Sequence, residues 1–266
     1  TPVNGFESVS VPTEVRIDPL TKRRSRIITW SLPSKGKFDF SQMIEESKGC
    51  IFCPENVLLK TPQFLKEIIP EGRLSVGNAV GFPNLFPAGT YGSVVVLCSE
   101  HFLNLDQFTP DIYEEGFSVA VEIIQKTMSY DPHARFWQIS QNFLLPGGSS
   151  ILHPHLQVIG DPIPTNEMEW LLNASASYTL KNKTLFWNDL ARTEKGLGER
   201  YITTSGKVHW FVSFAPIGFN EVCAIVEDHA SLTTLGREEL SSLGKGIVST
   251  LRYYYDKDLN SFNFAI

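Results

Sequence analysis

The stretch that decides the fold is Ile151-Leu152-His153-Pro154-His155-Leu156-Gln157-Val158-Ile159-Gly160, an apolar run interrupted by polar residues at alternate positions. Successive side chains of a β-strand point to opposite faces, so His153, His155 and Gln157 are expected on one face and Leu156 on the other. Two histidines and a glutamine on one face of an otherwise buried strand indicate a site that binds metal or phosphate. The simpler alternative is a strand that carries two hydrogen-bonded structural histidines.

The second informative feature is Cys50-Ile51-Phe52-Cys53, which holds two of only four cysteines. The other two, Cys98 and Cys223, lie far away among apolar residues, so no disulfide framework is visible and a reducing compartment is indicated. A C-x-x-C motif there is a metal knuckle or a redox pair, and the neighbouring Gly49 and Pro54 favour a turn over the helix that a redox motif needs. Zinc commonly takes two thiolates and two imidazoles. The candidate imidazoles are His101, His133, His153, His155, His209 and His229.

Composition limits the class of protein. The chain has 266 residues, 42% of them apolar, with a net charge of −6 and no apolar run long enough to cross a bilayer. The negative charge argues against a nucleic-acid partner, and neither a membrane partner nor a signal peptide is indicated. We expect a soluble, cytoplasmic protein.

An internal repeat predicts the architecture. A strand that ends near His101, a helix that begins at Pro110 with Thr109 as its N-cap, and a strand at 136–140 form the first copy. A strand at 221–229, a helix containing residues 240–251 and a strand at 262–266 form the second. We therefore expect an α+β fold of two similar halves, 1–165 and 166–266, each with an antiparallel sheet and a packed helix. The second half lacks a counterpart of the H-x-H strand and is incomplete, so we expect the natural polypeptide to continue past Ile266.

A glycine-rich segment precedes the H-x-H strand. Gly147, Gly148, Ser149 and Ser150 are small residues that are typical of a flexible turn. The same segment can present backbone N–H groups and two hydroxyls to a phosphate. Its position beside the histidines favours the phosphate-binding interpretation.

These features resemble the galactose-1-phosphate uridylyltransferase branch of the histidine-triad (HIT) superfamily. Six segments match in order, and none of them is specific alone. They are Asp18-Pro19-Leu20-Thr21, Cys50-x-x-Cys53 with Glu55-Asn56-Val57, Phe82-Pro83-Asn84-Leu85-Phe86-Pro87-Ala88, Leu97-Cys98-Ser99-Glu100-His101, Asn142 to His153-Pro154-His155-x-Gln157, and Pro164-Thr165-Asn166-Glu167.

The resemblance implies a role for each matching residue. Zn2+ would be bound by Cys50, Cys53, His101 and His153. His155 would be the nucleophile, with Gln157 as an amide that contacts phosphate and Ser150 beside it. Substrate would be bound by Asn84, which meets the nucleoside, and by Asn142, Gly148 and Ser149 along the phosphate path.

The residue types suit such a reaction. A neutral imidazole at His155 can attack an α-phosphorus to give a nucleotidyl-histidine, provided that its other nitrogen donates a hydrogen bond that fixes the tautomer. Holding His153 on a metal two residues away would position the nucleophile. Gln157 can donate a hydrogen bond but cannot deliver a proton, which suits a sugar phosphate as the leaving group. The expected activity is nucleotidyl transfer between a nucleoside diphosphate sugar and a sugar 1-phosphate.

Two alternatives stay open. An ADP-sugar or dinucleoside-polyphosphate phosphorylase could use the same strand with phosphate as the acceptor. A zinc-stabilised nucleotide-binding protein without turnover would retain nucleotide affinity after His155→Ala. A homodimer that completes the site also stays open.

The match has gaps. Leu85 replaces an acidic residue that the family has near the ribose, and the family's basic residues after the D-P-L-T segment have only loose candidates in Arg26, Lys35 and Lys37. No second metal is predicted.

Overall fold

The computed structural model of the chain describes residues 12–28 and 39–266, together with the single residues 5, 8 and 10. Lys35 and Lys37 lie outside the described residues. The strands are β1 (Thr13–Ile17), β2 (Arg24–Ile28), β3 (Leu74–Val76), β4 (Ala79–Pro83), β5 (Tyr91–Val96), β6 (Phe136–Phe143), β7 (His155–Asp161), β8 (Tyr201–Ser205), β9 (Val208–Val212), β10 (Val222–Val226) and β11 (Phe262–Ala265). The helices are α1 (Ser41–Glu46), α2 (Pro54–Lys60), α3 (Pro110–Tyr130), α4 (Asn166–Asn182), α5 (Phe186–Leu197) and α6 (Arg237–Asp256).

The largest sheet is antiparallel and runs in the order β11-β6-β7-β5-β4-β3. The H-x-H strand, β7, therefore lies in its middle, between β5 and β6. Leu156 and Val158 of β7 are fully buried in the main hydrophobic core, on the face that α3 covers. Because side chains alternate along the strand, His155 and Gln157 are left on the opposite face.

Helix α3 packs on this sheet as the repeat predicts. It begins at Pro110 with Thr109 before it in an extended conformation, and Phe117, Ala120 and Ile124 are fully buried. A close approach to β4 requires glycine, because a Cβ at Gly81 would lie 2.6 Å from Val119 Cγ1. Helix α3 thereby covers one face of the sheet, and His155 and Gln157 lie on the other.

The second half contributes a smaller sheet, β10-β9-β8, and the helix α6. Trp210 of β9 packs against α6, since a Cβ at Gly246 would overlap its indole. The last strand, β11, pairs instead with β6 and so joins the sheet of the first half. The α+β fold with antiparallel sheets and packed helices is confirmed, and the division at residue 165 stays a prediction.

A two-stranded hairpin, β1–β2, stands apart from both sheets. Its turn is the D-P-L-T segment, in which Asp18 Oδ1 accepts hydrogen bonds from the N–H groups of Leu20 and Thr21 and from the Thr21 hydroxyl. Arg16 ties the hairpin to the second half by donating to the carbonyl of Phe214 at 3.2 Å. None of the described helices combines the length and the apolar character that a membrane span requires.

Candidate active site and metal centre

Four side chains from three separate parts of the chain converge on one point. The candidate ligand atoms of Cys50, Cys53, His101 and His153 all lie within 4.8 Å of one another. The two sulfurs are 3.7 Å apart, His101 Nδ1 is 3.4 Å from Cys53 Sγ, and His153 Nδ1 is 3.7 Å from Cys50 Sγ. Tetrahedral zinc with bonds of about 2.3 Å to sulfur and 2.0 Å to nitrogen spaces its ligand atoms at about 3.3 to 3.8 Å, with about 3.5 Å for a sulfur–nitrogen pair. The cluster therefore fits such an ion.

Both imidazoles are oriented through the nitrogen that faces away from the cysteines. The hydroxyl of Ser47 donates to the carbonyl of Met43 at 2.6 Å, so its oxygen accepts from His101 Nε2–H at 3.0 Å. His153 Nε2–H donates to the carbonyl of Cys98 at 2.8 Å. Each Nδ1 then carries a lone pair that points into the cluster. Outer hydrogen bonds of this kind fix the tautomer and the ring orientation of metal-binding histidines.

Burial shifts the pKa values of side chains in the cluster. Burial lowers the pKa of His153 and that of His101. A lowered pKa favours the neutral imidazole, which is the form that binds a metal ion. Burial also raises the pKa of the Cys50 thiol, to about 11, so a metal ion has to displace its proton.

His155 lies immediately beyond this cluster and is buried. Its Nδ1 donates to the carbonyl of His153 at 2.8 Å, which is the hydrogen bond expected of a nucleophilic imidazole. In a neutral ring this assigns the proton to Nδ1 and leaves the lone pair on Nε2. Burial lowers the pKa of His155, partly offset by the hydrogen bond to the His153 carbonyl, so the ring is neutral near pH 7.

Phe52 is a residue that the sequence did not single out. It lies between the two cysteines, is buried, and its ring centroid is 5.2 Å from that of His155 in an edge-on arrangement. The same ring contacts His153 at 6.4 Å and Phe82 of β4 at 5.6 Å. The C-x-x-C turn thus packs against His155 as well as supplying two of the candidate metal ligands. The only sign of this contact in the sequence is that an aromatic residue, Phe52, stands between the two cysteines of the motif.

A row of polar residues continues from His155 across the same face of the sheet. Gln157 is partly exposed and pairs with Ser140 of β6. Cα partners of neighbouring antiparallel strands present their side chains to the same face, as do residues two apart along one strand. Asn142, two residues after Ser140, therefore shares the face of His155 and Gln157.

The glycine-rich segment lies against Asn142. Gly148 has a φ of +91°, and a Cβ there would lie 3.8 Å from the Asn142 side chain. Ser149 is buried and donates its hydroxyl to the carbonyl of Ile151 at 2.7 Å, so this hydroxyl is engaged within the loop. Ser150 is exposed and lines a cavity of about 480 Å³ together with Cys50 and His101.

Asn84 lies on the other side of β7, at the end of β4. Its backbone N–H donates to the carbonyl of Gly92 in β5, and its side-chain oxygen accepts from the N–H of Phe86 at 3.0 Å. Phe86 is 83% exposed, so the loop presents an aromatic ring to solvent beside the polar face. The other three histidines lie outside the candidate metal cluster. His209 is hydrogen-bonded to Tyr201 and Glu227, His229 contacts Thr234 and Glu239, and His133 is exposed.

Comparison with known proteins gives one close relative by sequence. The chain is 34% identical over 259 residues to a protein of Archaeoglobus fulgidus that is described only as uncharacterized, and the match covers 95% of this chain and 75% of that protein. No family model matches the chain.

Solved structures share the fold at low sequence identity. An ADP-glucose phosphorylase from Arabidopsis thaliana, solved with ADP-glucose, has a TM-score of 0.73 at 18% identity over 96% of this chain and 82% of its own. A GalT-like protein from Arabidopsis thaliana has a TM-score of 0.72 at 19% identity over 95% and 80%. A uridylyltransferase has a TM-score of 0.61 at 19% identity over 88% and 72%.

Proposed function

We infer that this chain, which belongs to one family with the Archaeoglobus fulgidus protein and has the GalT-like fold of the HIT superfamily, is a nucleotidyltransferase. The observation that carries the proposal is the hydrogen bond from His155 Nδ1 to the His153 carbonyl. It leaves a neutral, buried imidazole with its Nε2 lone pair available, which is the state that nucleophilic attack on phosphorus requires.

The proposed reaction has two displacements. His155 Nε2 attacks the α-phosphorus of a nucleoside diphosphate sugar, the bond from this phosphorus to the bridging oxygen breaks, and sugar 1-phosphate leaves with the electron pair. A phosphate oxygen of the incoming sugar 1-phosphate then attacks the phosphorus, the P–N bond breaks, and the neutral imidazole returns. Nδ1 keeps its proton throughout, and the carbonyl of His153 stabilises the positive charge that the ring carries in the intermediate.

The neighbouring residues supply binding and positioning. Gln157 and Ser150 would donate hydrogen bonds to the phosphoryl oxygens, and Asn142 and Gly148 would line the phosphate path. Ser149 would hold the loop in place, and Asn84 would meet the nucleoside. Cys50, Cys53, His101 and His153 would hold Zn2+, whose contribution when bound is structural, because all four positions of a tetrahedron would be filled by protein.

A second candidate differs only in the acceptor. An ADP-glucose phosphorylase has the same fold at a TM-score of 0.73, as does the GalT-like protein at 0.72, and the phosphorylase suggests inorganic phosphate as the other candidate acceptor. In that reaction a phosphate oxygen attacks the nucleotidyl-His155 and releases a nucleoside diphosphate. A cytoplasmic location and a homodimer stay proposals.

Intact-mass spectrometry tests the covalent step. We expect a nucleotidyl adduct on the wild-type chain after brief incubation with ADP-glucose or UDP-glucose, under neutral denaturing conditions because P–N bonds hydrolyse in acid. His155→Ala should give none, whereas His133→Ala, which removes an exposed histidine, should behave as wild type. Nucleotide binding without an adduct on the wild type would instead support the binding protein without turnover.

The acceptor is identified with the same adduct. Adding hexose 1-phosphate or inorganic phosphate to the labelled chain shows which of them removes the nucleotide. Release as nucleotide sugar supports the transferase, and release as nucleoside diphosphate supports the phosphorylase.

A further inference from the structure

Leu144, the residue between β6 and the glycine-rich loop, has a backbone conformation that normally requires glycine. Its φ is +64° and its ψ is 168°. A Cβ is so unfavourable in this region that almost only glycine adopts it. Among the described non-glycine residues with positive φ, the others are lysine, asparagine or aspartate, and Leu144 alone is apolar. Other contacts of Leu144 therefore have to offset the strain.

The contacts that hold Leu144 in this conformation involve both its side chain and its carbonyl. The side chain is 1% exposed and belongs to the main hydrophobic core. The carbonyl oxygen accepts hydrogen bonds from the N–H of Gly147 and from the N–H of Ser149, both at 3.0 Å. Because β6 fixes the N–Cα bond of Leu144, a change of φ would swing the side chain and the carbonyl out of these contacts together.

The glycine-rich loop is folded on this carbonyl. The N–H of Gly148 also donates within the loop, to the carbonyl of Leu145 at 3.0 Å. The three successive N–H groups of residues 147–149 are therefore engaged with loop carbonyls. Ser150, the next residue, is exposed, so its direction is set by how the three residues before it are folded.

We propose that Leu144 is a positioning residue, whose strained backbone holds the glycine-rich loop so that Ser150 meets the phosphate of the substrate. The proposal rests on the proposed function of the His155 site. The loop also borders Asn142, since a Cβ at Gly148 would lie 3.8 Å from the Asn142 side chain, and a displaced loop would disturb both residues. A loop that is already folded does not have to be ordered by the ligand, which removes one cost of binding.

Two substitutions of Leu144 separate backbone strain from burial. Leu144→Ala and Leu144→Gly both remove the buried side chain, but only alanine keeps the Cβ that makes a positive φ unfavourable. We expect Leu144→Ala to relax to a negative φ, to displace the loop and to weaken binding of AMP and UMP about tenfold, the effect of losing one hydrogen bond to a charged group. Leu144→Gly should recover most of this affinity, although its core has lost the same side chain. Isothermal titration of the folded variants measures these affinities.

Urea denaturation gives a second readout that does not depend on a ligand. Glycine in place of alanine ordinarily lowers the midpoint, because glycine has more conformational freedom in the unfolded chain. At position 144 we expect the glycine variant to have the higher midpoint. The control is Leu235, a buried leucine of the second half with a φ of −71° and a ψ of 125°. Leu235→Ala should have a higher midpoint than Leu235→Gly, and both should bind AMP and UMP as the wild type does.

Three results would overturn the assignment. They are equally weak binding by Leu144→Gly and Leu144→Ala, wild-type binding by Leu144→Ala, and a higher urea midpoint for Leu144→Ala than for Leu144→Gly. Any of them, together with an adduct at His155 on the wild type, rejects only this proposal. The expected affinities and midpoints without an adduct reject only the covalent function. A wild type that binds neither these nucleotides nor the nucleotide sugars contradicts both.

Discussion

The hydrogen bonds around each candidate ligand decide which nitrogen of a histidine can bind metal. The Ser47 hydroxyl, engaged with the Met43 carbonyl, can only accept from His101, and the Cys98 carbonyl can only accept from His153. Both rings are thereby held with Nδ1 toward the thiols. Neither partner is marked in the sequence, because Ser47 lies outside every motif and the acceptor at Cys98 is a backbone atom.

Ser47→Ala tests the orientation of His101. Loss of the hydroxyl leaves His101 Nε2–H without its acceptor, and we expect a tenfold to hundredfold decrease in zinc affinity, the usual effect of removing an outer hydrogen bond. The measurement is competition for zinc with a chromophoric chelator. Ser118→Ala is the matched control, since Ser118 also donates to a helical carbonyl, that of Glu114, but lies on α3 away from the cluster. An affinity equal to that of Ser118→Ala would show that Ser47 does not orient the ligand.

At the scale of elements, the contact between α3 and α6 joins the two halves. Gly244 of α6 lies against the first turn of α3, where a Cβ would be 2.9 Å from the Pro110 carbonyl oxygen and 3.1 Å from Tyr113 Cβ. Tyr113 is fully buried and donates to Gln141 of β6 at 2.9 Å. Helix α6 is therefore positioned by α3 and, through Tyr113, by the central sheet.

Gly244→Ala tests this close packing. Alanine favours a helix by about 1 kcal/mol over glycine, but the added methyl would press on a backbone carbonyl, and overpacking typically costs about 1 to 3 kcal/mol. We expect a net decrease in the free energy of unfolding, measured by urea denaturation. Gly196→Ala, in α5, is the control because nothing lies within 4 Å of its Cβ, and it should be neutral or stabilising. A stabilising Gly244→Ala would contradict the tight crossing.

At the scale of the whole molecule, the candidate metal would connect segments that are far apart in sequence. Cys50 and Cys53 lie in the turn before α2, His101 follows β5, and His153 precedes β7. An ion that binds only the folded chain stabilises it by mass action, by about 4 kcal/mol when the free ion is a thousandfold above its dissociation constant.

Metal removal should therefore lower the melting temperature. We expect one zinc per chain by elemental analysis, and a decrease of about 10 °C in thermal denaturation after chelation, since about 2 to 4 °C corresponds to 1 kcal/mol at this size. Cys53→Ser should lose the zinc together with the stability. Cys223→Ser should keep both, because Cys223 lies in β10 of the second half. The assignment would be refuted if the purified chain contained no zinc and a chelator did not change its melting temperature.

The local pattern of the sequence was sufficient to predict many of the elements and to name candidate site residues. Alternation in Ile151–Gly160 predicted a strand with His153, His155 and Gln157 on one face. The strand begins only at His155, so the prediction holds for His155 and Gln157, and His153 lies in the segment before the strand. The repeat predicted α3 and α6, because periodicity and helix-start residues act over a few neighbouring positions. The C-x-x-C motif indicated a metal site or a redox pair from the spacing of its two cysteines alone.

Only the tertiary structure decided which residues meet. Phe52 packs on His155, Ser47 binds His101, and β11 pairs with β6 rather than with the smaller sheet. These contacts depend on strand order and on backbone acceptors, and neither leaves a periodic signal in the chain. The sequence by itself thus determined the chemistry available at the site, and the packing of distant segments determined its geometry.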